Sequence, residues 1–449
     1  MLSHTGTGYV LHRAGREPVS LDTVTGSRAG IHGLALDHGI RTLAVHHTAA
    51  AALGWPTTPA NMTGRNTATA TEGWASGETD GLGAFPDGGL AAWVNVWAPG
   101  DDGHRESPVG VHVPCLDDRP SARWRDAVDG SELLAALVAF REATGDSYYF
   151  SPNATAAQIA RRRSRGLAAT ELPPPAVRDS GQGFRRALTV VQSRPLDDVE
   201  DSHIFVHEYD ANGQHIGAMG SELFGNGTAV HNDTPAFNPK RAGYWRIEGL
   251  TGWDLRMPTL ALDDGSWIVT ATGKMLRDLG CTFTVTEAWI YPRTHRPLYT
   301  IYEAYRDARS RLLDAEERGE PGARIARKSL PYATFTGWLS RKQGQDVDVD
   351  LYRPDWHDVI LAEADARLLR RAYRIGTATG RWPVGVKTDA LFYTSDELDP
   401  VKAAPAGLPL GRRLGEFTHD GMVPLAVIRG SFGEATMARE FNKATGASE

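Results

Sequence analysis

Asp210 and Asp389 each stand where a predicted strand ends, and strand ends can hold two carboxylates close together. The segment 201–210 (DSHIFVHEYD) has the alternating, β-branched and aromatic character of a strand. The segment 381–396 (RWPVGVKTDALFYTSD) predicts a hairpin with Asp389 at its tip. Phosphoryl transfer from a nucleoside triphosphate uses two Mg²⁺ ions about 3.5–4 Å apart, and such hard cations prefer oxygen ligands. A sheet that joined the two segments would supply those ligands, although an aspartate at a strand end is more often only a turn former.

The elements around these aspartates predict a chain of mixed α and β structure. Segments 265–273 and 283–292 read as further strands, and 300–313 has its apolar residues at helical spacing. Pro-rich and Gly-rich stretches at 171–183 and 317–324 predict a linker and a helix break.

The region before the linker predicts an α/β unit of its own. Residues 41–46 and 90–97 read as short apolar strands. Residues 129–145 predict a helix, with Asp129 or Ser131 as its N-cap and Gly145 as its stop.

Composition bounds the class of protein. A chain of 449 residues is longer than a single hydrophobic core usually accommodates, so we expect two or three structural units. The net charge of −7 argues against a surface that coats nucleic acid as a whole, yet arginines cluster at 161–165 and 306–327. These clusters fit either a local DNA groove or solvated helix faces paired with acids. No apolar run approaches the ~18 residues of a membrane span, and no signal peptide is evident, so we expect a cytoplasmic, nucleoid-associated protein without a membrane partner.

Four segments occur in the order of the motifs of protein-primed family B DNA polymerases. The sequence around Asp210 (YDANGQH) resembles the first palm motif, and Val386-Lys387-Thr388-Asp389 resembles the third, with its second aspartate kept. Between them, 324–337 (RIARKSLPYATFTG) resembles the fingers motif, and 414–420 (LGEFTHD) resembles a segment that follows the palm. The segment 236–247 also resembles telomere-associated proteins of actinobacterial linear replicons.

This resemblance implies roles for individual residues. Asp210 and Asp389 would be catalytic and bind two Mg²⁺ or Mn²⁺ ions. Lys328 would neutralise the triphosphate of an incoming dNTP, assisted by Arg324 or Arg327. The remaining nucleotide-binding candidates are Asn212, His215 and Tyr332, and the candidates for contact with DNA or the primer are Lys387, Phe432 and His419.

The resemblance also implies an architecture, that of a right-hand polymerase of the α/β (α+β) class. It predicts a degenerate exonuclease-like α/β domain at 1–170 and a linker at 171–195. The palm, an antiparallel sheet, would occupy 196–300 and 346–410, the helical fingers 301–345 and a reduced thumb 411–449. The partners implied are dNTPs, DNA as a primer-template or single-stranded end, and a terminal protein that provides the priming hydroxyl.

Several residues depart from the family pattern. His215 stands in place of the tyrosine that excludes a ribose 2′-hydroxyl, and Lys387 replaces the first aspartate of the third motif. The aromatic at Phe432 is kept without the neighbouring lysine. The first strand of the N-terminal unit offers His46 and His47 and no carboxylate pair, so we predict no proofreading exonuclease. Adjacent histidines on a strand point to opposite faces, which favours packing or hydrogen bonding over metal binding.

Three hypotheses follow from these observations. The first is an exonuclease-deficient polymerase that extends a DNA end at the telomere of a linear replicon. The second is a catalytically inactive pseudo-polymerase that binds a DNA end or a terminal protein. The third is an unrelated α/β enzyme with accidental motifs, which requires Asp210 and Asp389 to lie more than about 10 Å apart.

Overall fold

A computed structural model shows how these elements are arranged. It describes residues 1–5, 8–24, 28–40, 42–54, 93–96, 109–112, 123–148, 152–163, 177, 184–188, 191–221, 224–340, 352–434 and 436–446. The chain forms two compact units: the first comprises Met1–Arg163 and Ala304–Phe335, and the second Ser164–Glu303 and Thr336–Glu449. The predicted linker 171–183 lies outside the described residues, apart from Val177.

The strands of the described residues are β1 Leu2–His4, β2 Tyr9–Arg13, β3 Arg16–Leu21, β4 Thr42–Ala44, β5 Trp93–Val96, β6 Val109–His112, β7 Val191–Ser193, β8 Phe205–Ala211, β9 Phe224–Asn226, β10 Val230–Asn232, β11 Gly243–Thr251, β12 Ser266–Val269, β13 Thr282–Ile290, β14 Arg293–His295, β15 Gly385–Lys387, β16 Ala390–Ser395 and β17 Phe417–Pro424. The α-helices are α1 Arg28–Asp37, α2 His47–Ala52, α3 Gly130–Thr144, α4 Pro152–Arg163, α5 Asp198–Asp201, α6 Gln214–Met219, α7 Thr270–Asp278, α8 Tyr299–Glu317, α9 Ala323–Lys328, α10 Tyr332–Leu339, α11 Pro354–Thr379, α12 Pro400–Ala403, α13 Leu425–Ile428 and α14 Met437–Thr445.

The first unit contains two small sheets and several helices. Strands β1–β3 form an antiparallel meander, and β4, β6 and β5 form a mixed sheet in that order. Helix α3 begins after Asp129, whose side chain accepts hydrogen bonds from the backbone of Ser131 and Glu132, and ends at Gly145 in the left-handed conformation. The sequence prediction for this helix is therefore confirmed, with Asp129 as the cap.

The second unit is built on a five-stranded antiparallel sheet in the order β17-β8-β16-β15-β7. Because side chains alternate along a strand, β8 places Tyr209 and Ala211 on one face and Val206, Glu208 and Asp210 on the other. Tyr209 and Ala211 join the large apolar core to which α11 contributes Leu368 and Leu369. Val206 joins a smaller cluster with residues of β17, α13 and α14.

A four-stranded antiparallel sheet, β10-β13-β11-β12, contributes to the same large core. The segment 265–273, predicted as a strand, is a strand only at Ser266–Val269 and continues as helix α7. The β-branched residues Val269, Thr270 and Thr272 misled the prediction, because burial of Met275 and Leu276 favours the helix. The strand predicted at 283–292 and the helix predicted at 300–313 are present as β13 and α8.

Two segments that the sequence analysis assigned to a linker and to a thumb contain strands of the five-stranded sheet. Strand β7 lies within the predicted linker 171–195 and pairs with β15. Strand β17 lies within the predicted thumb 411–449 and pairs along its length with β8. Both segments join the sheet by pairing with strands that are far away in the sequence. Such pairing leaves no local signal in the sequence of either segment.

His46 and His47 are not on a strand, which corrects the prediction made for them. Strand β4 ends at Ala44, His46 caps helix α2, and His47 begins that helix. Their ring centroids lie 4.0 Å apart, and the ring of His46 is hydrogen-bonded to the Thr48 hydroxyl. Hydrogen bonding was expected for these histidines, and His46 confirms it. Among the described residues no helix has the length and apolar character needed to cross a membrane.

One buried ion pair connects the segment 184–188, which precedes strand β7, to helix α11. The Asp365 carboxylate is fully buried and accepts hydrogen bonds from Arg186, at 2.6 and 3.2 Å, and from the Leu188 backbone. Removal of one partner from such a pair leaves a charge without compensation in a poorly solvated site.

We therefore predict that Asp365→Ala lowers the free energy of unfolding by about 3 kcal/mol, as measured by urea denaturation. The matched control is Glu320→Ala, which breaks the exposed Arg318–Glu320 pair and should cost less than about 1 kcal/mol. Equal losses in the two variants would contradict the role given to the buried pair.

Candidate functional site

Asp210 and Asp389 lie on neighbouring segments of the five-stranded sheet. Strand β8 is flanked by β16 and β17, and Asp210 is directly opposite Ala390, the residue that follows Asp389. The Ala211 N–H donates a hydrogen bond to the Asp389 carbonyl oxygen at 3.0 Å. Asp389 occupies the tight turn between β15 and β16, where Thr388 has a φ of 51°. Sheet register and turn geometry thus bring together the two aspartates that the sequence singled out.

The two carboxyl groups contact each other through a side-chain hydrogen bond. Burial, the charge of Asp389 and this hydrogen bond raise the pKa of Asp210 from 3.8 to about 8. Burial also raises the pKa of Asp389. In the absence of a cation, one proton is therefore held between the two groups, and the titration belongs to the pair. The separation of more than about 10 Å that the unrelated-enzyme hypothesis required is not present.

Two further carboxylates lie within electrostatic reach of Asp210, and the sequence analysis did not name either of them. Glu208 lies two residues before Asp210 on the same face of β8, and its charge raises the pKa of Asp210. Asp420 has the same effect from β17, where the register shifts between His419 and Gly421. The period-2 rule would have found Glu208, whereas Asp420 depends on a bulge that the sequence does not signal.

Lys387 balances part of this negative charge. Its ammonium donates to the Glu208 carboxylate at 2.9 Å and to the Asn442 side-chain oxygen of helix α14 at 3.0 Å. Glu208 is 5% exposed, and although burial raises its pKa, Lys387 opposes that shift. The structure therefore places Lys387 in an internal ion pair next to the aspartates, on the face that carries Asp210.

Asn212 and His215 follow Asp210 closely and lie near the pair. The Asn212 amide donates to the carbonyls of Gly411 and Glu416 and to the Thr418 hydroxyl, so it fixes the loop that precedes β17. Burial lowers the pKa of His215, and the Asp389 charge opposes that shift. His215 is thus within electrostatic reach of the carboxylates.

His419 and Phe432 both make packing contacts within the second unit. His419 is opposite Tyr209 in the β8–β17 register, and its ring nitrogen is 3.2 Å from that of His207. Strand alternation therefore puts His419 on the other face of the sheet from Asp210. Phe432 packs against the apolar cluster that contains Val206. Both side chains are half-buried in these contacts, and the contact with DNA that the sequence assigned to them stays a prediction.

The predicted triphosphate-binding residues belong to the first unit. Helix α9 carries Lys328 at its end, and both Lys328 and Arg324 are exposed. Burial, followed by the charge of Arg324, lowers the pKa of Lys328. Arg327 is buried and donates to Glu316 at 2.8 Å, so its charge is already paired. Tyr332 begins α10 and packs edge-on against Tyr305.

The carboxylate pair suits a divalent cation by its chemistry. Two desolvated carboxylates that share a proton would gain from replacing it with a doubly charged ion. Mg²⁺ is commonly held by one or two carboxylates, with water and substrate phosphates completing the shell. No group of three or more His, Cys, Asp or Glu side chains in the described part of the chain is arranged to hold one ion. Asp210 and Asp389 could hold Mg²⁺ or Mn²⁺ only with water or substrate phosphates as the further ligands.

Comparison with known proteins yields a structural likeness alone. No protein-family model matches the chain, and no curated protein matches it. Phi29 DNA polymerase complexed with primer-template DNA and incoming nucleotides resembles the chain with a TM-score of 0.49 and 12% identity. The same polymerase with single-stranded DNA gives a TM-score of 0.47 and 10% identity. Each likeness covers 90% of this chain and 79% of the other. The likeness concerns the arrangement of helices and antiparallel sheets.

The raised pKa of Asp210 predicts a pH dependence of stability. Its folded value of about 8 exceeds 3.8, so between these values the folded protein holds a proton that the unfolded chain has released. The stability from this proton is complete below about pH 4 and is lost as the pH rises through about 8. We expect the Tm of metal-free protein, measured in a chelator, to fall by several degrees relative to Asp210→Asn over this range. Asp233→Asn, at an exposed position, should keep the wild-type slope, and parallel curves for Asp210→Asn and wild type would contradict the shift.

The Lys387–Glu208 pair predicts a second effect on stability. Lys387→Met leaves the Glu208 carboxylate nearly buried without its cation, so the free energy of unfolding should fall by about 2 kcal/mol at neutral pH. Adding Glu208→Gln should recover part of that loss, because the uncompensated charge is then absent. A double variant that is no more stable than Lys387→Met would contradict this account.

Proposed function

We propose that this chain is a DNA polymerase-like nucleotidyltransferase that acts at DNA ends by a two-metal mechanism. The observation that carries the proposal is the contact between the Asp210 and Asp389 carboxylates at the junction of β8 with the β15–β16 hairpin. Two carboxylates placed against each other at a cost in electrostatic energy suit a site that binds cations. The motif resemblance had selected the same two residues from the sequence.

In this proposal Asp210 and Asp389 position two Mg²⁺ or Mn²⁺ ions. The bound ions would activate the attacking hydroxyl and hold the leaving phosphates. His215 lies close enough to the Asp389 charge to contribute to the nucleotide site, and Asn212 orders the adjoining loop. We assign the contact with the triphosphate to Lys328 and Arg324, because Arg327 is already paired with Glu316.

The proposed substrates are dNTPs and a DNA end, presented as a primer-template or a single strand. Priming from the hydroxyl of a terminal protein at the end of a linear replicon belongs to the same proposal. We propose no proofreading for this chain, because strand β4 consists of Thr42-Leu43-Ala44 and bears no carboxylate. A two-metal exonuclease site needs carboxylates on such a strand.

A second candidate function has one observation in its favour. Lys387 stands where the resembled motif has a carboxylate, and it is held by Glu208 beside Asp389. A cation fixed at that position disfavours binding of further cations. The alternative is therefore a catalytically inactive module that binds a DNA end or a terminal protein.

One experiment separates these functions. Purified protein is incubated with labelled dNTPs, a primed template and Mg²⁺ or Mn²⁺, and primer extension is measured. We expect extension by the wild type and by the exposed-site control Asp233→Asn, and at least a hundredfold less by Asp389→Asn, because the metal-holding carboxylate is gone. In parallel, Mg²⁺ should raise the Tm of the wild type at pH 8 and leave that of Asp389→Asn unchanged. Equal extension by wild type and Asp389→Asn would disprove the catalytic assignment, and DNA binding without extension by the wild type would favour the binding module.

A further inference from the structure

A basic cleft lies beside the loop that follows Asp210, within the second unit. It has a volume of about 350 Å³ and lies between helix α11, the start of α6 and the loop before β17. Four arginines of α11 line it, together with an apolar floor that includes Leu368 and Phe417 and a rim that includes Tyr302. The arginines are Arg367, Arg370, Arg371 and Arg374. We call this feature the arginine cleft.

The arginines occupy one stripe of α11 because their spacing follows the helical repeat. Residues 367, 371 and 374 are three or four positions apart and so share a face, while Leu368 and Leu369 pack into the core. Arg371 donates to the Gly415 carbonyl at 2.6 Å, which fixes its guanidinium against the loop. Gly415 has a φ of 81°, a conformation that favours glycine and turns this carbonyl toward the helix.

Positive charge in the arginine cleft exceeds negative charge. Arg367 pairs with Glu363 and Arg370 with Asp278, each through its Nε atom. Arg371 and Arg374 have no carboxylate partner in the described part of the chain, and one buried terminal nitrogen of Arg370 lacks a hydrogen-bond partner. Burial, and then the charge of Arg374, lowers the pKa of Arg371, as expected where no acid compensates. Four cations and two anions leave the cleft with two uncompensated positive charges.

This combination suits a ligand that has phosphate groups and a flat apolar part. Guanidinium groups bind phosphate oxygens in pairs of hydrogen bonds, and their excess charge needs an anion. Aromatic and aliphatic side chains beside them can cover a nucleobase. A cleft of about 350 Å³ is within the range that small ligands occupy.

We propose that the arginine cleft is a nucleotide-phosphate binding site, distinct from the carboxylate pair. Asp210 and Asp389 offer negative charge, whereas the described residues that line this cleft include four arginines and no acid, around an apolar floor. Its ligand is either a free nucleoside triphosphate or a nucleotide within a DNA strand, since both present the same chemistry. Binding at this site needs no divalent metal and no catalysis.

The test measures binding to the full chain in a chelator, so that metal-dependent binding is suppressed. The two probes are dATP and a labelled ten-nucleotide oligo(dT), each titrated into wild type, Arg374→Gln and Arg371→Gln/Arg374→Gln. Arg293→Gln is the matched control, because Arg293 is an exposed arginine of the same unit outside the cleft. Asp389→Asn is included as a variant that lacks the carboxylate pair.

We expect the double variant to bind at least one probe about tenfold more weakly than wild type, and Arg374→Gln about threefold more weakly. Arg293→Gln and Asp389→Asn should stay within about twofold of wild type, which separates this proposal from the function proposed for the aspartates. Weaker binding of oligo(dT) alone identifies a DNA strand as the ligand, and weaker binding of dATP alone identifies the free nucleotide. Arg374 is exposed, so its replacement tests the cleft even if the double variant is unstable. Unchanged affinity for both probes in Arg374→Gln and in a folded double variant would overturn the proposal.

Discussion

The contact between the Asp210 and Asp389 carboxylates is the constraint that the surrounding sheet of the second unit has to satisfy. Like charges in a poorly solvated site repel, so they stay together only where surrounding structure holds them. Here the hydrogen bonds between β8 and β16 fix one aspartate, and the tight turn at Thr388 fixes the other. The pair therefore stores an unfavourable electrostatic energy that a proton relieves and that a divalent cation would relieve further. Strongly perturbed pKa values are common at functional sites, which supports the function proposed for the pair.

Lys387 shows how the same sheet limits the electrostatic repulsion among its carboxylates. Without it, Glu208 would be a third uncompensated carboxylate on the face that carries Asp210. The pairing depends on β15, β8 and helix α14, which come from three distant parts of the chain. The C-terminal helix thus influences the electrostatics of the candidate site through Asn442. If Asp210 and Asp389 hold metal ions, Lys387 would compensate the charge of Glu208. The two aspartates would then be the carboxylates available to the cations.

The sequence predicted the two aspartates and most elements around them, because those signals are local. Alternation identified β8, two apolar arms identified the β15–β16 hairpin, and helical spacing identified α3 and α8. It could not predict that His419 faces away from Asp210, since that depends on the register of β17 against β8. It also could not predict the Lys387–Glu208 pair or the strand at Phe417–Pro424 within a supposed thumb. Each of these features depends on pairing between residues roughly 180 to 220 positions apart, and no local pattern records such a partner.

The positions of the two candidate sites in this unit follow from the different side-chain repeats of strands and helices. A strand alternates every residue, so β8 sends Asp210 to one face and Ala211 to the other, where it lines the arginine cleft. A helix repeats every 3.6 residues, so α11 can bury Leu368 and Leu369 under the sheet and still place four arginines along its side. Opposite charges are thereby kept on different surfaces, where they do not neutralise each other. The carboxylate pair and the arginine cleft thus lie within a few residues of one strand end, and each keeps its charge available to a ligand.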